Sequence, residues 1–186
     1  MQHYFISDIH FGHNNVIIYD GRPFDNIESH DNTIIENWNN RVTDNDMVYI
    51  LGDISWYNVT KTIEILRKLK GRKTLIIGNH DGHFLKNKEF RECFEEITHY
   101  KELFISPDKN IVLSHYPMLC FKNQFHGWYH FYGHIHNSWQ NDMMNDLIKS
   151  MENKCACWMW NVGIMLPYMN FTPRTFDEII ASRKQQ

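Results

Sequence analysis

The chain has 186 residues, of which 42% are hydrophobic, 22% charged and 15% aromatic, and its formal net charge is -3. This composition is that of a folded globular protein, and the length predicts a single domain over residues 1–186. No apolar run is long enough to span a bilayer, and the weakly negative balance argues against a dedicated nucleic-acid-binding protein.

Cellular location is predicted from the first residues and from the cysteines. Met1 to Phe5 lead directly into motif-bearing sequence, which predicts no removable signal peptide and a cytoplasmic location. The cysteines lack the spacing of zinc or redox motifs and are expected to be reduced thiols; they are Cys93, Cys120, Cys155 and Cys157.

Strands and helices are predicted to alternate along the chain. In order, the sequence predicts a strand over residues 4–6, a helix over 28–42, a strand over 47–51, a helix over 59–70, a strand over 74–77, a helix over 84–94, strands over 111–113, 128–132 and 158–162, and a helix over 175–182. This alternation predicts an α/β layered domain. Ligands of open α/β sheets collect at the carboxyl ends of the strands.

Five polar blocks follow predicted strands, where a strand gives way to a loop. In order they are Asp8-Ile9-His10, Gly52-Asp53, Gly78-Asn79-His80-Asp81, His115 and Gly133-His134-Ile135-His136. Together they supply oxygen and nitrogen ligands for two adjacent metal ions, and one spare imidazole. Two metal ions side by side are a known device for the hydrolysis of phosphate esters.

Two of the blocks hold pairs of ligand-type residues separated by a single residue. The pairs are Asp8 with His10 and His134 with His136. In an extended chain such residues point to the same side, so each pair is expected to offer two ligands to one small region. Taken alone, the first pair would be a surface loop and the second a pair of hydrogen-bonded histidines.

Three further residues complete a set of seven ligand groups. Asp53 ends an apolar strand, where a carboxylate needs compensation, and it either caps the next helix or bridges two cations. Asn79 offers a neutral oxygen, and His115 alone would be a strand-edge histidine. Because the set contains no thiolate, it suits two divalent transition-metal ions, with manganese expected first and iron, zinc, nickel or cobalt as alternatives.

The five blocks, from Asp8 to His136, resemble those of the calcineurin-like metallophosphoesterase superfamily, and residues 5–13 resemble its small prokaryotic or phage-type members. The resemblance implies a four-layer sandwich of two mixed β-sheets flanked by helices, with the metals at one edge. It also implies a role for each residue: Asp8, His10 and His136 on one metal, Asn79, His115 and His134 on the other, Asp53 as the bridge, and His80 acting on the substrate.

The expected reaction is hydrolysis of a phosphate ester by in-line attack of a metal-bridging hydroxide, with His80 donating a proton to the leaving group. The chain shows no insertion that would form a cap, so a phosphodiesterase is expected rather than a monoesterase, acting on a small phosphate ester such as a nucleotide. A nuclease is the alternative, disfavoured by the net charge of -3. A catalytically silent scaffold is ranked last because all seven ligands are present. The sequence leaves the oligomeric state open.

Some residues near the blocks have two interpretations. His13 and Arg22 could reach a phosphate oxygen, but a helix cap and a solvated loop cation are favoured. Asp81 could orient His80 or cap the following helix. His130 and the aromatic residues around it are expected to pack in the core rather than stack a nucleobase.

Overall fold

The computed structural model describes residues 1–152 and 158–182, so Cys155 and Cys157 lie outside the described part of the chain. Two single 3-10 turns, Phe84–Lys86 and Gln124–His126, accompany the regular elements. In chain order these are β1 (His3–Ile6), α1 (Asn14–Tyr19), α2 (Ile27–Arg41), β2 (Met47–Ile50), α3 (Val59–Lys68), β3 (Arg72–Ile76), α4 (Lys88–Arg91), β4 (Glu96–Thr98), β5 (Tyr100–Ser106), β6 (Lys109–Ser114), β7 (Tyr129–Tyr132), α5 (Trp139–Glu152), β8 (Met159–Asn161), β9 (Arg174–Thr175) and α6 (Phe176–Ala181).

The strands form two mixed sheets. The first has the order β4-β3-β2-β1-β9, in which β9 alone runs antiparallel to its neighbour. The second has the order β5-β6-β7-β8, with β5 antiparallel to β6 and the remaining pairs parallel. The prediction of an α/β fold with two mixed sheets is confirmed.

The two sheets pack face to face and helices cover their outer faces. Phe5 of the first sheet meets Phe131 of the second edge to face, with ring centroids 4.9 Å apart. On the outer face of the first sheet, the Tyr4 hydroxyl donates to the Arg41 carbonyl of α2 at 3.2 Å. On the outer face of the second sheet, α5 joins a buried cluster of Tyr132, Ile135, Met144, Ile148 and Met159. These contacts give the expected sequence of four layers: helix, sheet, sheet, helix.

The predicted helix over residues 84–94 is wrong. The chain forms a single 3-10 turn and then the short helix α4, with Asn87 between them in an extended conformation. The Asn87 side chain accepts a hydrogen bond from the Phe90 amide at 3.0 Å. An N-cap of this kind begins a new helix and so interrupts the old one.

Five elements were not predicted, namely α1, α5, β4, β5 and β9. The three strands lie at sheet edges, where the apolar runs of central strands are absent. Helix α1 has six residues and buries only Val16. Helix α5 is rich in Asn and Asp, which have low helix propensity, and its packing on the second sheet favours the helix despite that composition.

His130 shows how the core prediction was met. Its ring is fully buried, its Nδ1 donates to the Val112 carbonyl at 3.1 Å, and its Nε2 accepts from the Met118 amide at 3.0 Å. Trp128, Phe131, Tyr132 and Trp160 are buried as well, as expected, whereas Trp158 is exposed, contrary to the same expectation. No helix among the described residues is long and apolar enough to cross a membrane.

Candidate metal centre

All five polar blocks lie at one edge of the two packed sheets. They follow β1, β2 and β3 of the first sheet and β6 and β7 of the second, and within each sheet these strands are parallel neighbours. Parallel strands bring their carboxyl ends to the same edge, so residues far apart in sequence converge there.

The first donor group consists of Asp8, His10 and His136, whose ligand atoms all lie within 4.8 Å of one another. The two imidazole Nε2 atoms are 3.1 Å apart, and His136 Nε2 is 3.6 Å from Asp8 Oδ1. Asp8 and His10 are buried. This group could hold one metal ion.

The second donor group consists of Asp53, His115 and His134, again within 4.8 Å. Asp53 Oδ2 lies 3.6 Å from His115 Nε2. The Oδ1 atom of Asn79 lies 2.9 Å from the same His115 nitrogen, so the amide oxygen faces this group. This group, with Asn79, could hold a second ion.

Asp53 lies between the two groups. Its Oδ2 atom is 3.6 Å from His115 Nε2 of the second group and 3.9 Å from His10 Nε2 of the first. Burial, supplemented by the charge of Asp8, raises the pKa of Asp53 to about 7. A buried carboxylate with its pKa raised in this way is one whose charge needs a cation beside it.

The donor atoms fit divalent cations. Among the described residues His10 Nδ1 is buried without a hydrogen-bond partner, while His10 Nε2 faces another imidazole nitrogen. Burial holds the pKa of His10 far below its ordinary value, so the ring is neutral and its nitrogens can bind a metal. A set of carboxylate, amide and imidazole donors suits borderline transition-metal ions.

Most of these residues have left-handed backbone conformations. In five of them φ is positive: 54° at Asp8, 57° at His10, 55° at Asp53, 70° at His134 and 49° at His136. The expectation that the two pairs lie in extended chain is therefore wrong, because the loops turn sharply after each strand. As a result His134 and His136 point into different donor groups. Non-glycine residues in this region are strained and concentrate at functional sites.

Two glycines allow the loops to approach each other. A Cβ atom at Gly133 would lie 2.5 Å from Asp8 Oδ2 and would overlap Ser7 Oγ. A Cβ at Gly78 would lie 2.6 Å from the Asp53 amide nitrogen. Any larger residue at either position would push the donor loops apart.

Arg22 occupies neither of its expected positions, since it is buried and does not line the cleft. Its guanidinium donates to the carbonyls of Asp8 and Ile9 at 2.9 Å each and to Asp20 Oδ2 at 2.8 and 2.9 Å. Arg22 therefore holds the loop that carries Asp8.

Asp20 is a site residue that the sequence did not reveal. Its carboxylate accepts a hydrogen bond from His136 Nδ1 at 2.8 Å, which leaves Nε2 facing Asp8 and His10. Burial alone would lower the pKa of His136, but the hydrogen bond to Asp20 and the charge of Asp8 outweigh it, so that pKa is raised. A carboxylate behind a metal-binding imidazole orients the ring and increases its basicity.

His80 is exposed at the mouth of this edge, and its imidazole makes no hydrogen bond to Asp81. Its backbone amide donates to Asp53 Oδ1 at 3.0 Å, and its ring lies 4.1 Å from that of Trp56. Both expectations for the Asp81 side chain are wrong. The carboxylate accepts bonds from the backbone amides of Asp53, Ile54 and Gly78 at 2.8 to 3.0 Å, and so ties two donor loops together.

Comparison with known families decides the identity of this fold and donor set. The family model for the calcineurin-like phosphoesterase superfamily domain matches residues 1–176. The chain belongs to this superfamily.

Calcineurin-like phosphoesterases are typically metal-dependent hydrolases of phosphate esters, which agrees with the two donor groups. The uncharacterized protein MJ1445 of Methanocaldococcus jannaschii is 43% identical over 116 residues, covering 60% of this chain and 62% of that protein. The gene 66 protein of Mycobacterium phage L5 is 31% identical over 130 residues, covering 61% and 62%. The matches thus span less than two thirds of these relatives.

Two solved structures are similar to this chain over a larger share of its length than these relatives. The protein of unknown function AQ665 from Aquifex aeolicus is 27% identical, with a TM-score of 0.63 over 97% of this chain and 98% of that one. Nuclease MPE of Pseudomonas putida is 15% identical, with a TM-score of 0.43 over 72% and 60%.

The edge that carries the two donor groups opens into a cleft of ≈ 380 Å³. Residues of both donor groups line it, together with His13 and Trp56. The His13 side chain makes no capping bond to α1, contrary to the favoured expectation. It is stacked on Trp56 instead, with ring centroids 4.0 Å apart and an interplanar angle of 5°.

Proposed function

We propose that this calcineurin-like phosphoesterase hydrolyses phosphodiesters with the aid of two divalent transition-metal ions, manganese first among them. In this proposal Asp8, His10 and His136 hold one ion, Asn79, His115 and His134 hold the other, and Asp53 bridges the two. The substrate is a small phosphate ester, and the location is cytoplasmic.

The position of Asp53 carries the proposal. One of its oxygens lies 3.6 Å from an imidazole nitrogen of one donor group and 3.9 Å from an imidazole nitrogen of the other. A purely structural aspartate would be expected to pair with a lysine or an arginine, or to use both oxygens in a backbone turn, whereas here only Oδ1 accepts from a backbone amide, that of His80. A carboxylate whose other oxygen is placed between two groups of imidazoles is the arrangement that two-metal phosphoesterases use.

The protein side chains have separate tasks in the reaction. When bound, the two cations would supply an activated water nucleophile and neutralise charge on the phosphate. His80 lies in the cleft beside the first donor group and would donate a proton to the departing alkoxide. Asp20 and Arg22 hold His136 and the Asp8 loop, so that the donor atoms need little reorganisation.

A diester is proposed rather than a monoester because the described residues around the cleft form no cap over it. An open site accepts a phosphate that carries two organic groups. The net charge of -3 disfavours a nuclease that grips a long polyanion. A silent scaffold would not need to retain both donor groups.

The test compares bis(p-nitrophenyl) phosphate with p-nitrophenyl phosphate, using metal-stripped protein with and without Mn²⁺. Faster Mn²⁺-dependent release from the diester is the expected result. Faster release from the monoester would make the protein a phosphatase, and no release from either by protein shown to hold two ions would contradict the proposal. Mg²⁺ should restore less activity, because its preference for oxygen ligands suits four histidines poorly.

A further inference from the structure

Three rings that the proposed chemistry does not use form one side of the metal cleft, and we call them the aromatic wall: Trp56, His13 and Tyr19. Trp56 and His13 are stacked in parallel at 4.0 Å, and Tyr19 meets His13 edge on at 6.4 Å. The wall adjoins the first donor group, because the His10 ring lies 5.0 Å from Trp56. All three residues line the cleft.

Two rings of the aromatic wall are exposed although they are large and mostly apolar. Trp56 is 41% exposed and Tyr19 is 75% exposed. Rings in this state bury little area in the protein's own core, so packing does not account for their presence. Exposed aromatic groups beside a polar centre are typical of ligand sites, where they bind planar groups.

The aromatic wall is held in place before any ligand arrives. Trp56 stacks on His13 and contacts His80, whose ring is tilted against it at 4.1 Å, and its backbone amide donates to the Phe11 carbonyl at 2.7 Å. That hydrogen bond joins the loop after β2 to the loop after β1. A ring that stacks on one neighbour and contacts another loses little conformational entropy on binding, which favours its use as a recognition surface.

Charge around the cleft limits what the ligand can carry. Within the described part of the chain, the residues lining the cleft include no Lys or Arg. The guanidinium of Arg22 is turned onto the Asp8 and Ile9 carbonyls and is buried. The two proposed ions would therefore neutralise one phosphate, and no side-chain cation is available for a second one.

Resting on the proposed function, we propose that the substrate is a nucleoside phosphodiester with a single phosphate, whose base contacts the aromatic wall while the phosphate lies at the donor groups. Ser138 and the exposed Gln140 also line the cleft, and their polar side chains suit a sugar or the edge of a base. Polyphosphates and extended nucleic acids are excluded as preferred substrates by the missing cations.

The test uses two esters with the same leaving group. Thymidine 5′-(p-nitrophenyl) phosphate and methyl p-nitrophenyl phosphate differ only in the group that stays on phosphorus. Base–aromatic contact predicts that kcat/KM of the Mn²⁺-loaded protein is roughly 5- to 150-fold higher for the thymidine ester. Equal kcat/KM for the two esters would overturn this inference while leaving the phosphodiesterase intact.

Equilibrium binding gives a readout that does not depend on turnover. Calorimetric titration should show thymidine 5′-monophosphate binding more tightly than methyl phosphate by a similar factor. Equal affinities would reject the aromatic wall as a binding site even if neither ester is hydrolysed. Absence of hydrolysis combined with tighter nucleotide binding would contradict the proposed reaction and support the wall.

Variants test whether the preference for the thymidine ester depends on the aromatic wall. Tyr19→Ala should bring the ratio of the two kcat/KM values towards one, and Trp56→Leu should do so more strongly. Phe104→Ala is the matched control, because Phe104 is 64% exposed and lies on β5 opposite Asn110, away from the His115 end of β6. An unchanged ratio in Tyr19→Ala, whose ring does not contact His80, would contradict the proposal.

Discussion

The two donor groups are supported in different ways. In the first, His136 is oriented by the carboxylate of Asp20, which in turn pairs with Arg22 at 2.8 Å. In the second, His115 Nδ1 donates to the main-chain carbonyl of Leu51 at 2.7 Å. A carboxylate increases the basicity of the imidazole it orients, whereas a carbonyl mainly fixes its direction. The first group is therefore the one that side-chain substitutions can tune.

Removing the residue that both groups share should have the largest effect. We expect Asp53→Ala to reduce the metal content from two ions towards none and to lower turnover roughly a thousandfold or more. Metal analysis of the purified protein measures the first effect. Because burial raises the pKa of Asp53 to about 7, loss of this carboxylate should not lower the melting temperature of the metal-free protein. Retention of two ions would disprove the bridge, and Asp25→Ala, at an exposed position, is the control.

His80 tests whether the chemistry depends on a residue outside both donor groups. We expect His80→Ala to lower kcat by about 10²- to 10⁴-fold, the usual contribution of general acid catalysis. Its metal content should stay at two ions, because the imidazole belongs to neither group. His99→Ala, which removes another exposed histidine, should keep full activity. Unchanged turnover in His80→Ala would remove His80 from the mechanism.

The ring of His130, like that of His115, donates a hydrogen bond from Nδ1 to a main-chain carbonyl rather than to a carboxylate. Burial lowers the pKa of His130 to about 4, while an unfolded histidine titrates near 6.5. The folded state thus binds fewer protons between these values, and its stability falls as the pH drops from about 6.5 to 4. The contribution is about 3 kcal/mol in all. Urea unfolding of metal-free wild type and His130→Gln across this pH range should show that the free energy of unfolding depends less on pH in the variant. Parallel pH profiles for the two proteins would contradict this prediction.

Asp20→Asn should affect one donor group and spare the other. We expect the affinity of one metal ion to fall by about 10- to 100-fold, since that is the usual effect of removing a carboxylate behind a ligating histidine. Calorimetric titration with Mn²⁺ would then show one weakened and one unchanged site. Asp25→Asn should bind both ions as the wild type does. Equal weakening of both sites would mean that the two groups are not independently supported.

The convergence of the donor residues was predictable because it depends on strand order. Once short apolar runs are assigned to parallel strands, the residues that follow them, such as Asp8 and His115, must meet at one edge. The central strands and the long helices α2 and α3 were found for the same reason, since their apolar patterns are regular.

The contacts that hold the donor residues in place were harder to predict from the sequence. Asp20 and Trp56 lie in loops without periodic pattern, and their contacts with His136 and His80 depend on how distant loops pack. The buried position of Arg22 was missed for that reason, because a loop arginine is ordinarily solvated. The left-handed backbone at five donor residues was missed because positive φ is uncommon for non-glycine residues and no local sequence pattern marks it here.

Under the proposed metal binding, the strained loops would make metal supply a factor in the durability of the folded chain. Five donor residues in left-handed conformations store about 1–3 kcal/mol each, a sum comparable with the about 5–15 kcal/mol that stabilises a typical domain. Ion binding would offset that strain. In chelator, amide hydrogens of the three loops that hold these residues should exchange with solvent well before those of the central strands, and proteases should cut there first. Ions in the cleft would thus protect the protein from degradation as well as serve its chemistry.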